Sequence, residues 1–185
     1  MNRHICAALA IVAIAGPASS DEFTDVIDSA LSAYNEGDIS IAIEELDYAG
    51  KLLKELKSAS LSQYLPEPLE GWTRSEADPN SGGMAIAFGG GTAAAASYSN
   101  GAEELTIALV ANSPMVSGLG AMITGMSSLT GGKPIRIQRT QFANNDGELQ
   151  GVVDGKVLVS VSGEASLENK TSFLEAMDMR ALRDF

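Results

Sequence analysis

The chain has 185 residues, 45% apolar and 19% charged, which is enough for one domain with its own core and too apolar for a disordered chain. Twelve Lys and Arg stand against 24 Asp and Glu, and the resulting formal charge of −12 argues against nucleic acid and anionic lipid as partners. The single Cys and the single His both lie within the first six residues, which removes most side-chain chemistry from the rest of the chain.

Residues 1–20 follow the three-part plan of a secretory signal. Arg3, with His4 beside it, supplies the positive start; Ile5–Ala15 is an apolar run of 11 residues; Gly16-Pro17-Ala18 and small residues close it. The run is shorter than the about 20 residues that span a bilayer. Small residues place cleavage after Ala18 or after Ser20. Cys6 opens the apolar run instead of closing it, which argues against a lipid anchor. No later stretch is long and apolar enough for a membrane span, so a soluble, exported protein is expected. Without the signal, no Cys or His remains. A disulfide, Ser–His–Asp and Cys–His catalysis, the usual zinc sites, and His- or Cys-ligated haem and copper are then excluded. Carboxylate chemistry, hard-cation binding, Met-based Cu(I) binding or no chemistry remain.

Residues 21–63 read as an antiparallel helical hairpin. Phe23, Ile27, Ala30 and Tyr34 recur at helical spacing, Gly37 permits a left-handed turn, and Asp38 caps the next helix. There Ile39, Ala42, Leu46, Ala49, Leu53 and Leu56 form one apolar stripe, opposite Glu44, Glu45, Asp47, Lys51, Lys54 and Glu55. Leu65–Trp72 is a joint, since Pro66 and Pro68 stop a helix. A strand is predicted near Gly71–Ser75, a turn at 78–82, and an apolar run at Met84–Phe88 before Gly89-Gly90-Gly91. Thr92–Ser99 and Leu105–Ala111 flank the hairpin signal Asn100-Gly101. Ser113-Pro114 starts a helix that carries Met115, Leu119, Met122, Ile123 and Met126 to Leu129 and ends at Gly131-Gly132. Ile135 and Ile137 mark the next strand. Asn145-Asp146-Gly147 and Asp154-Gly155 bound Leu149–Val153 and Val157–Val161, which gives three strands in this half. A helix from Ser166 to about Arg183 closes the chain.

Grouped strands with short turns predict an α+β protein: signal at 1–20, helical hairpin at 21–63, and at 64–185 an antiparallel sheet packed with two helices. Ala33–Asp38 followed by Ala42 and Leu46 resembles half of a tetratricopeptide-type unit, which needs a neighbour to bury its face. A hairpin docked on the following domain is the simpler reading, because no further repeats are found. The run LPEPLEGW (65–72), GGGTAAAASYSNG (89–101), NSPM (112–115) and DGELQGVVDGKVLVSVSG (146–163) together resemble an uncharacterised family of exported bacterial proteins. The order of elements in 71–185 is similar to the Mog1/PsbP-like fold. The resemblance implies a periplasmic location and an accessory or interaction role, and brings no catalytic residues.

No residue is assigned as catalytic, cofactor-binding or metal-ligating. Gly89–Gly91 lacks the Lys and Ser/Thr of a phosphate loop and reads as a bulge or loop. Met115, Met122 and Met126 offer thioethers for Cu(I), but their apolar neighbours make them core. Met177 and Met179 fall on different sides of a continuous helix. Asp146, Glu148 and Asp154 do not match a calcium loop and are explained by turn chemistry. Trp72 reads as a plug between hairpin and sheet in preference to a partner anchor. The expected function is therefore a non-catalytic periplasmic accessory protein that binds another exported protein. A small-ligand or Cu(I) carrier is the alternative, and a carboxylate-dependent hydrolase a weaker third.

Overall fold

The computed structural model describes residues 18–77, 91–116, 118 and 134–185. The predicted signal up to residue 17, the turn at 78–82, Met84–Phe88, Gly89, Gly90 and most of the Met-bearing helix lie outside these residues. The chain divides into two compact units, one ending at Leu53 and one running from Lys54 to Phe185. The division falls inside a helix, upstream of the Leu65–Trp72 joint.

In the first unit, helices α1 (Ala18–Glu36) and α2 (Ile39–Ser62) are joined by a two-residue link. Gly37 N–H donates to Tyr34 O and Asp38 N–H to Ala33 O, a Schellman closure. Asp38 then caps α2: its Oδ1 accepts Ile41 N–H at 3.3 Å. The buried seam of the pair consists of small side chains, Ala30 and Ala33 on α1 and Ala42 and Ala49 on α2, with Leu52. Ser29 bonds Glu45, and Tyr48 donates to Glu22 at 2.7 Å, tying the helices at their flanks. The expected stripe is thus only half used. Alanines let the helices approach closely, and the large apolar side chains Tyr34, Ile39, Leu46 and Leu53 stay exposed.

The second unit is built on one seven-stranded antiparallel sheet of order β1-β2-β3-β7-β6-β5-β4. The strands are β1 (Thr73–Ala77), β2 (Thr92–Ser99), β3 (Glu104–Ala111), β4 (Ile135–Ile137), β5 (Thr140–Asn145), β6 (Glu148–Val153) and β7 (Val157–Gly163). The architecture is mixed α+β, as expected. Of the two predicted sheet-packing helices, α3 (Leu167–Ala176) is observed. The other is described only at its start, where Ser113 Oγ accepts Met115 N–H and Ser113 O accepts Val116 N–H. Two meanders, β1–β3 and β4–β7, meet where β3 pairs with β7 over Leu105↔Gly163 to Ala111↔Val157.

Period-2 alternation sends Ala94, Ala96, Tyr98, Leu105, Ile107, Leu109, Val157, Val159 and Val161 to one face. Phe173 and Leu174 of α3, with Leu61 and Leu65, cover it. Tyr98 is fully buried, donates to Pro66 O at 2.7 Å, and packs on Phe173 with ring centroids 4.6 Å apart. Burial pushes its phenol pKa up to about 12, with Arg74 opposing the rise and Glu67 adding to it. The opposite face is made of smaller side chains, with Ala93, Val110 and Leu158 packed on Val116.

Two regions differ from the sequence reading. The stretch expected as a single strand from Ile135 is a β-hairpin, so this half holds four strands. Its turn is Gln138-Arg139, with φ of 45° and 72°, left-handed positions usually filled by Asn or Gly. Gln138 Nε2 donates to Glu175 O at 2.8 Å and Met177 O at 2.7 Å, and these bonds hold the turn without the usual residues. The expected single C-terminal helix is also broken. It stops at Ala176, Met177 is extended, and a short 3-10 helix follows over Ala181–Asp184. Met179 N–H closes a tight turn on Met177 O at 3.1 Å, and with the helix ended both side chains enter the core. A continuous helix would have turned one of them outward.

Candidate functional site

An unfilled apolar surface lies on the helical pair. Ile27, Ala30, Leu31 and Tyr34 of α1 and Ala42 and Leu46 of α2 line a groove of about 270 Å³. Positions 27, 30, 31 and 34 share one helical face, and the alanine seam draws α2 close enough to supply the opposite wall. Tyr34 is 63% exposed and Leu46 55% exposed, so water covers side chains that favour apolar contact. Residues 21–53 carry nine carboxylates and one lysine, Lys51. The groove is therefore apolar along its floor, on a unit of net negative charge. The helical spacing named Ile27, Ala30, Tyr34, Ala42 and Leu46; Leu31 was missed because it falls one position off the stripe.

The other residues singled out in the sequence do not assemble into a site. Trp72 is half-buried and packs edge-to-face on Phe173 at 5.1 Å, inside the second unit's core. Met177 and Met179 are core residues, Met115 is exposed, and Met122 and Met126 lie outside the described residues. Asp146 and Asp154 take the first position of two left-handed turns, with Gly147 and Gly155 second. Glu148 accepts from Gln150, and Asp154 pairs with Lys156 at 3.7 Å in solvent. Among the described residues, no three His, Cys, Asp or Glu side chains come together as a ligand set.

One cleft does hold two acids. Glu55 and Glu76, with Ser58, Ser62 and alanines, line a space of about 300 Å³. Both residues are exposed. Gly91 has φ of 119°, and a side chain there would meet Ala111 O at 2.6 Å. That close backbone approach accounts for this glycine without a phosphate.

Sequence reasoning did not find the buried Lys170. It is 3% exposed, and its ammonium donates to Gly147 O at 2.6 Å and Gly163 O at 2.7 Å, pinning α3 to the β5–β6 turn and the end of β7. Nothing in the local sequence marks it, because both acceptors are backbone carbonyls of distant residues. No helix among the described residues is long and apolar enough to cross a membrane. No family profile matches the chain, and no curated protein or solved structure matches it.

Proposed function

We propose that this chain is a non-catalytic accessory protein, exported to the periplasm, that binds another exported protein through its helical pair. The observation that carries the reading is the groove between Leu31, Tyr34 and Leu46, an open apolar floor on a unit with nine carboxylates and one lysine over residues 21–53. Charge complementarity selects the occupant. A second copy would double the unit's excess of negative charge, whereas a basic amphipathic helix matches the apolar floor and the unit's charge together. The seven-stranded sheet with α3 on one face supports reading residues 71–185 as Mog1/PsbP-like, a scaffold that serves interaction proteins.

The test is titration of the full chain with a lysine-flanked amphipathic helical peptide and with its glutamate-flanked analogue. Binding of the lysine peptide should weaken about tenfold or more in Leu46→Glu, with the melting midpoint held, because Leu46 is exposed. The glutamate analogue should bind more weakly by a similar factor. Equal binding of both peptides, or a wild-type dimer that Leu46→Glu dissociates, would reject the basic partner.

A further inference from the structure

A second surface, in the sheet unit, has the opposite character. Gln138, Arg139, Arg180 and Arg183 line a solvent-open cleft of about 540 Å³. The chain has six arginines, and three of them meet here, in a protein of net charge −12. The fold brings them together from two elements. Arg139 sits at the second left-handed position of the β4–β5 turn, while Arg180 and Arg183 flank the start and end of the 3-10 helix.

The cleft is uncompensated. Among the described residues, the ion pair present is Lys156–Asp154, and no carboxylate reaches these three guanidiniums. Asp178, the acid nearest Arg180 in sequence, directs Oδ1 to the backbone N–H groups of Arg180 and Ala181. Arg183 Nη2 reaches Gln138 O at 3.5 Å, and its carbonyl accepts from Lys156. The guanidinium groups of Arg139 and Arg180 have no hydrogen-bond or ion-pair partner among the described residues. Like charges repel at such range, so the arrangement costs stability unless something else requires it.

The backbone gives an independent sign. Gln138 and Arg139 both have positive φ, a strained state for residues of this size, and the Gln138 amide is fixed by two carbonyls of the α3 exit. The turn places the Arg139 backbone at the cleft, and a planar five-donor fork suits recognition of a carboxylate or phosphate group.

The geometry points to a binding site for a small, multiply charged oxyanion, held by Arg139, Arg180 and Arg183 in the cleft between the β4–β5 turn and the 3-10 helix. The volume falls within the range of small-molecule sites and exceeds what a single phosphate fills, so the ligand is a polycarboxylate or a phosphate ester with a polar body.

The test uses citrate and inorganic phosphate as probes, titrated into the full chain by calorimetry at fixed ionic strength. Saturable one-to-one binding is expected, weakened about tenfold or more by Arg180→Ala and by Arg139→Ala, and unchanged by Lys54→Ala on α2. Arg180 is exposed and unpaired, so its removal should leave the melting midpoint in place even if Arg139→Ala disturbs the turn. Arg180→Lys, which keeps the charge and loses the fork, should fall between wild type and Arg180→Ala. Tighter citrate binding assigns a polycarboxylate, and tighter phosphate binding a phosphate ester. Absence of saturable binding by either probe up to about 20 mM, or equal binding by wild type and Arg180→Ala, would overturn the proposal.

Discussion

Single positions in the sheet unit carry conformational demands that substitution can test. The Asp154-Gly155 turn has φ of 50° and 70°, the paired left-handed geometry of a two-residue hairpin. A β-branched residue resists such a φ, so Gly155→Val should lower stability by about 1–3 kcal/mol, read as a shift in the denaturant midpoint, and Gly155→Asn by less. Gly151 fails for a different reason. It pairs with Phe142 across β5 and β6, and a Cβ there would meet the Phe142 ring at 2.7 Å. Gly151→Ala should therefore cost about 1–3 kcal/mol, and Gly151→Ala with Phe142→Leu should cost less than the sum of the two single changes if the clash is the cause. Lys170→Met removes both donors to Gly147 O and Gly163 O and leaves those carbonyls unsatisfied, an expected loss of about 1–3 kcal/mol in chemical denaturation. The Asp-Gly turns were legible because their residue types announce the backbone they need. Gly151 and Lys170 were not, since their partners lie across the sheet or far along the chain.

At the level of elements, the strands with strong alternation and glycine-marked turns, β2, β3, β6 and β7, were placed nearly to the residue from sequence. The β4–β5 hairpin was not, because Gln138-Arg139 carries no turn signal and the stabilising bonds come from the carbonyls of Glu175 and Met177. The break after α3 was hidden for a related reason. Phe173, Met177 and Leu182 satisfy a helical count loosely, and only the burial of Met179 beside Met177 and Leu182 decides for a break followed by a short helix. Asp178 restarts that helix by accepting Arg180 and Ala181 N–H groups at 3.1 and 2.9 Å. Asp178→Ala should cost about 0.5–2 kcal/mol, and Asp178→Asn should retain most of the cap. Thermal unfolding of the two variants separates the cap from the charge. The groove on α1 and α2 was partly legible, since spacing shows which side chains share a face but not which face is covered. The arginine cleft was invisible, because Arg139 and Arg180 are separated by the whole β5–α3 segment.

For the molecule as a whole, stability in alkali follows from Tyr98. Its folded pKa of about 12 stands above the ordinary value of 10.0, because the core disfavours the phenolate. The stabilising contribution is therefore complete below about pH 10 and is lost as pH rises through about 12, a total of about 2–3 kcal/mol. Urea midpoints measured across that window should fall for wild type more steeply than for Tyr98→Phe, and equal slopes would show that another group governs the alkaline limb. The β3–β7 junction at the centre of the sheet has a different consequence, one of timing. Leu105 faces Gly163 and Ala111 faces Val157, so the middle of the sheet joins strands that lie far apart in the chain. A nascent chain that has emerged only as far as β6 holds β1–β3 and β4–β6 but lacks the strand that joins them. Such a chain has no complete core and stays accessible to factors that act on unfolded polypeptide, until synthesis reaches β7 and the buried Met179 and Leu182 near the end.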